Sequence, residues 1–160
     1  MKDHGTSAED FALASESLPP AIIQKMRDAD KARTPEAIKA ADDFFGIQKR
    51  NLAKLNAAGV KIGFGTDSGT AVGWNAHQEL SDMVVAGMTA AEVLRAATTT
   101  AAEILKLDKL GSIAAGKSAD FVVLDANPLE SIGNTRKISR VYLRGAEIDR
   151  AALKAKWTAP

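Results

Sequence analysis

The strongest constraint in this sequence is a change of period. From Thr34-Pro35 onward, Ile38, Ala41, Phe45, Gln48, Leu52 and Leu55 follow at spacings of three and four, and Gly59 stands where the run stops. Proline near the first turn and glycine after the last predict a long amphipathic helix with one polar interruption at Gln48. Directly after it the period becomes two, with Val60, Ile62 and Phe64 on one face and Lys61, Gly63, Gly65 and Asp67 on the other. That alternation predicts a strand over 60–66 ending at Asp67. Ser68-Gly69-Thr70 through Gly73-Trp74 supplies loop residues, and Asn75 with Gln78 has the capping-box form for a helix reaching Val85 and stopped by Gly87. Helix, strand, loop and helix in that order point to an α/β class.

The flanks extend this pattern. Leu18-Pro19-Pro20 reads as an entry turn to a helix whose apolar face is Ile22, Ile23 and Met26. Thr89-Ala90-Ala91-Glu92 and Thr100-Ala101-Ala102-Glu103 both have capping-box form and predict two short helices. Beyond Gly111 the helical period disappears. Phe121-Val122-Val123-Leu124, bounded by Gly116-Lys117 and Asn127-Pro128, predicts a buried strand; Val141, Leu143 and Ile148 flank Arg144-Gly145 as a closing hairpin; and 151–157 is of helical type. A division into 1–108, 109–150 and a tail 151–160 follows.

Composition excludes several classes. The chain has 160 residues, enough to bury roughly two thirds of its unfolded surface. Its 21 basic and 20 acidic residues are interspersed, so no basic stripe marks a nucleic-acid partner. Without cysteine, a bound metal must use His, Asp, Glu or Lys-derived ligands. No stretch approaches the ~18 apolar residues of a membrane span, and Met1-Lys2-Asp3-His4-Gly5 opens no signal peptide, which favours a cytoplasmic setting.

Asp67 is the candidate for chemistry. An aspartate just past the C-terminal end of a strand, followed by a helix, stands where α/β barrels put catalytic groups. Gly63 and Gly65 on its own face would leave space beside the carboxylate. The bland reading of Asp67 is a loop residue capping its own turn. For His77 it is a half-buried ring in a first helical turn, against a substrate-facing role. Ser68 and Thr70 either contact substrate or hold the turn, Trp74 lines the mouth or the core, and Lys117, Asp120 and Asp125 to Pro128 read as turn residues. Rival motifs overlap here: Ser68 occupies the third glycine position of a dinucleotide fingerprint and sits one place off a nucleophile elbow. Asp67-Ser68-Gly69-Thr70 has the form of an aspartic-protease turn, which needs a second carboxylate, here only from a homodimer.

Several stretches together carry a family resemblance. Ala58 to Gly69, His77-Gln78-Glu79-Leu80, Ala86-Gly87-Met88-Thr89, Ala96-Ala97-Thr98, Gly111-Ser112-Ile113, Ala115 to Asp120, Val123 to Leu129 and Asn134-Thr135-Arg136 occur in order. This set resembles the C-terminal portion of the amidohydrolase superfamily, in its imidazolonepropionase-like and Xaa-Pro dipeptidase-like branch. The resemblance implies a (β/α)8 TIM barrel whose last strand is 60–66, plus strands of a small composite β-sandwich domain from the 109–150 region. It implies hydrolysis of amide-type C–N bonds, in a dipeptide or a cyclic amide, by a water activated on a divalent metal. Asp67 would be metal ligand and proton shuttle, with Ser68 and His77 as substrate contacts. The metal would be zinc, one or two ions in the complete enzyme, and this chain alone need hold none.

The departures matter equally. The resemblance calls for a His-x-His pair, a bridging Lys or Glu and two further His ligands, whereas this chain has only His4 and His77. A catalytic zinc takes about three protein ligands, and an eight-stranded barrel needs about 250 residues. His4 at the terminus does not fill the gap. The expectation is a truncated chain, inactive alone, acting on a small-molecule or peptide-like substrate once a missing N-terminal half, or a homo-oligomeric partner, completes it. A non-catalytic remnant or an assembly module needing a second polypeptide is the alternative.

Overall fold

A computed structural model describes residues 6–16, 18–67 and 74–158. Local signals account for most of the helices. Helix α1 (Ala8–Ser15), which the sequence reading did not anticipate, starts at Ser7, whose Oγ accepts from Asp10 N at 3.0 Å. Helix α2 (Pro20–Lys31) opens on its prolines. The long periodic run is helix α3 (Pro35–Ala57), capped by Thr34 Oγ1 on Ala37 N at 3.2 Å. It ends in a Schellman turn, with Gly59 at φ +72°, Gly59 N on Asn56 O at 3.0 Å and Val60 N on Leu55 O at 3.1 Å.

Helix α4 (Trp74–Val85) closes the same way at Gly87, φ +104°. Its expected Asn75–Gln78 capping box is not made; the helix begins one residue earlier, and Gln78 Nε2 donates instead to Asp82 Oδ1 at 3.0 Å. The Thr89 box is complete at the head of helix α5 (Ala90–Ala96): Glu92 N donates to Thr89 Oγ1 at 3.2 Å and Thr89 N to Glu92 Oε2 at 2.7 Å. The second box fails. Helix α6 (Thr99–Ile104) already contains Thr100, and Glu103 turns outward to Lys61 Nζ at 2.9 Å.

The β part is a three-stranded antiparallel sheet in the order β1-β2-β3, made of β1 (Phe121–Leu124), β2 (Ile138–Leu143) and β3 (Ala146–Glu147). The ring of Phe121 stacks on its cross-strand partner Tyr142, centroids 4.6 Å apart. Arg144 and Gly145 both take positive φ, +51° and +81°, as a tight hairpin requires. Strand β1 is not the buried strand expected. It forms an edge of the sheet, and Val122 and Val123 are exposed. After β3, helix α7 (Arg150–Thr158) ends the described chain.

The 60–66 segment is extended without a ladder among the described residues. A strand is defined by its neighbours, and these residues meet helices instead. Its period-2 burial holds from Lys61 to Asp67: Ile62 and Phe64 pack on the main core of Leu80, Met83, Met88, Val93, Ala96 and Ile132, while Lys61, Gly63, Gly65 and Asp67 are exposed. Val60, expected on the packed face, is 48% exposed, because it still belongs to the turn that ends α3. Val93 is fully buried at the centre, where such a side chain contributes about 1.5–3 kcal/mol. Ile132 reaches this core from a 3₁₀ helix (Ile132–Arg136) between β1 and β2. A smaller cluster of Phe11, Ala14 and Ile23 joins α1 to α2, with the Arg27 guanidinium 4.5 Å above the Phe11 ring.

Candidate functional site

Asp67 stands at the end of the extended segment. Ile62 and Phe64 bind that segment to the helices, Phe64 N donating to Ala96 O at 3.0 Å, so the odd-numbered residues are turned outward. Asp67 itself takes φ +45°, a left-handed conformation that aspartate tolerates better than most residues. The room expected beside it is half there. A Cβ on Gly65 would meet nothing within 4 Å, whereas one on Gly63 would come within 3.0 Å of Ile104 Cδ1, because α6 leans over that residue. Ser68, Thr70 and His4 lie outside the described residues.

His77 is the better-defined candidate, and its surroundings contain residues that sequence reasoning missed. Its ring is half-buried in the first turn of α4, with Nδ1 3.1 Å from Thr135 Oγ1. The Thr135 hydroxyl also donates to Ile132 O at 2.8 Å. Beside it, Arg136 Nη1 donates to His77 O at 3.4 Å and Nη2 pairs with Asp10 Oδ1 at 2.8 Å. Asp10 is 2% exposed and the Arg136 side chain 16%, so this pair joins α1 to the 3₁₀ helix between β1 and β2 in a nearly dry setting. Ser7 Oγ donates to Asp10 Oδ2 at 2.6 Å, and Arg136 Nε is buried with no partner among the described residues. The sequence signals were Asn134-Thr135-Arg136, noted as part of the ordered motif set, and the Ser7-x-x-Asp10 cap spacing.

Burial is the main influence on the titration of this ring. It lowers the His77 pKa, the Arg136 charge lowers it further, and Asp10 opposes both. The half-buried Glu79 carboxyl is pushed the other way, up, by burial first and by Asp82 second. Asp120, read from sequence as a turn residue, holds the hairpin: its Oδ1 accepts from Arg144 N at 2.6 Å, and that backbone bond, followed by one from Ser118, lowers its pKa. Asn127 similarly accepts from Leu129 N at 3.0 Å in an Asx turn.

Among the described residues there is no group of three or more His, Cys, Asp or Glu side chains arranged to hold an ion. Asp67 alone does not make a catalytic zinc site, for which about three protein ligands are needed. Nor, among the described residues, is any helix long and apolar enough to cross a membrane.

Residues 9–148 match the Amidohydrolase family, and the chain belongs to that family. Among its relatives, guanine deaminase from Escherichia coli is 36% identical over 107 residues, 61% of this chain and 24% of that protein. Imidazolonepropionase from Deinococcus radiodurans is 39% identical over 64 residues, 38% of this chain and 16% of that protein. The crystal structure of a Xaa-Pro dipeptidase with bound methionine in the active site superposes with a TM-score of 0.62 at 32% identity, covering 91% of this chain and 38% of the other. The mixed helices and strands are thus an amidohydrolase-type fold, and the chain spans about a quarter or less of the curated relatives.

Proposed function

We propose that this chain is the C-terminal part of a metal-dependent amidohydrolase that hydrolyses amide-type C–N bonds. The observation that carries the reading is Asp67: an exposed carboxylate ending an alternating extended segment that feeds α4, in a chain of the Amidohydrolase family. In this reading 60–66 is the last strand of a (β/α)8 barrel, and its partner strands come from residues outside this chain. Residues 109–150 supply strands of a composite β-sandwich. Support comes from the apolar groove of about 630 Å³ between α6 and the β1–β2 sheet, lined by Leu105, Leu107, Ile113, Phe121 and Val141. Ile113 is 87% exposed, an unfavourable placement for a large apolar side chain unless further strands cover it.

Asp67 is assigned as one ligand of a divalent metal, zinc by the family's habit, with the rest of the set carried by residues outside this chain. As a carboxylate at the point of C–N cleavage it also accepts a proton and returns it to the leaving nitrogen. His77 and Ser68 are assigned to substrate contact. The substrate is a small amide, a dipeptide or a cyclic amide; relatives named as a deaminase, an imidazolonepropionase and a Xaa-Pro dipeptidase support that class. The test is turnover on Xaa-Pro dipeptides and cyclic amides, with metal content, for the 160-residue chain beside an upstream-extended version. Activity and metal confined to the extended protein support the reading; tight stoichiometric metal and full turnover in the short chain would overturn it.

A further inference from the structure

The bonds around Thr135 decide which nitrogen of His77 carries the proton. A threonine hydroxyl has one hydrogen to give and two lone pairs to receive. The Thr135 hydroxyl gives its hydrogen to Ile132 O, 2.8 Å away within the 3₁₀ helix. Its contact with His77 Nδ1 at 3.1 Å is then a hydrogen bond only if Nδ1 carries the hydrogen. In the opposite tautomer the two acceptors, Ile132 O and a bare Nδ1, would compete for one hydroxyl hydrogen, and Thr135 is only 7% exposed, so water does little to replace the lost bond. We infer that Thr135 is a positioning residue that holds neutral His77 in its Nδ1–H tautomer, so that Nε2 is the ring's hydrogen-bond acceptor.

The rest of the array serves the same end. Arg136 holds His77 O through Nη1 and is itself anchored by Asp10, while Ser81 Oγ donates to the same carbonyl at 2.9 Å. Backbone and ring are therefore both fixed. Free imidazole side chains favour the Nε2–H form, so the assignment runs against the solution default and is informative when measured. The inference gives the chemistry of the contact: His77 receives a hydrogen bond, from an N–H or O–H of its ligand, rather than donating one. Its application to substrate rests on the proposed role of His77; the tautomer itself does not.

The experiment is long-range ¹H–¹⁵N correlation spectroscopy of the [¹⁵N]histidine-labelled chain above the imidazole titration range, with His4→Gln used to remove the other ring. The expected result is a pyrrole-type Nδ1 and a pyridine-type Nε2 for His77. Thr135→Val, which keeps the shape and deletes the acceptor, should return the ring to a majority Nε2–H form; Thr135→Ser, which keeps the hydroxyl, should retain Nδ1–H. A wild-type Nε2–H signal, or a Val variant indistinguishable from wild type, overturns the inference, and the wild-type and Ser spectra decide it even if the Val variant does not fold. In the upstream-extended protein, His77→Gln should raise KM. An unchanged KM beside an Nδ1–H spectrum removes the substrate role and leaves the tautomer assignment standing.

Discussion

Replacing Asp10 by Ala should be the most damaging single polar change in the described structure. The Asp10 carboxylate is 2% exposed and the Arg136 side chain 16%, so neither is well screened by solvent, and their atoms are 2.8 Å apart. Deleting one member of a buried pair leaves the other charged and unpaired, at a cost of about 3–5 kcal/mol. The low end applies here, because Arg136 keeps some solvent and its bond to His77 O. With a urea slope of about 2 kcal/mol/M, a loss of about 3 kcal/mol moves the midpoint down by about 1.5 M. Replacing both partners together, Asp10→Leu with Arg136→Met, removes charge and desolvation alike and should cost under about 1 kcal/mol, well below the cost of either replacement alone. If α1 peels away before the rest unfolds, the slope falls as well and hydrogen exchange quickens first in 8–15. A midpoint shift below about 0.25 M at unchanged slope, worth about 0.5 kcal/mol, would refute the claim that this pair is dry.

Three further changes probe separate parts of the account. Gly111→Ala places a Cβ 2.7 Å from Ala102 Cβ and 2.8 Å from Thr98 O at φ +83°, and should cost about 2–5 kcal/mol in thermal or chemical unfolding from strain and overpacking combined. A cost under about 1 kcal/mol would mean the loop after α6 gives way freely. Thr89→Ala removes the cap of α5 and should cost about 1 kcal/mol by urea midpoint, with Thr89→Ser near wild type. The folded-state pKa of His77 lies below its ordinary value, so the unfolded chain binds this proton more readily. Its contribution is complete above about pH 6.5 and is lost as pH falls through the folded pKa. Glu79, shifted upward, runs the opposite way: it stabilises at acid pH and loses that contribution as pH rises through its folded pKa. The difference in stability between wild type and His77→Gln, measured from pH 8 to 5, isolates the histidine and should fall toward acid; a flat difference contradicts the assigned burial.

What could be read in advance were the features that local chemistry decides. Helix α3 was legible because Thr34, Pro35 and Gly59 bracket a sustained helical period, and the Arg144-Gly145 hairpin because two successive positive φ values need such a turn. The Thr100 box is not made because α6 has its N-cap at Thr98, which leaves Thr100 already inside the helix. The 60–66 alternation predicted the correct faces from Lys61 onward, though not that of Val60, and it did not predict the state, since a ladder depends on partner strands that no local pattern supplies. The same limit hid the Asp10–Arg136 pair, whose members are 126 residues apart. Asp67 was legible as an address at the end of that segment. The Thr135 bond that orients His77 was not, because it exists only once the 3₁₀ helix packs on α4.

The most direct test of the central claim is the rate of amide hydrolysis by the upstream-extended protein, wild type against Asp67→Asn, with metal content measured alongside. The account predicts measurable turnover in wild type and a fall of about 10²–10⁴-fold or more in kcat for Asp67→Asn, the range lost when a proton-transferring group is removed, with weakened metal retention. An Asp67→Asn protein with wild-type turnover and full metal would contradict it.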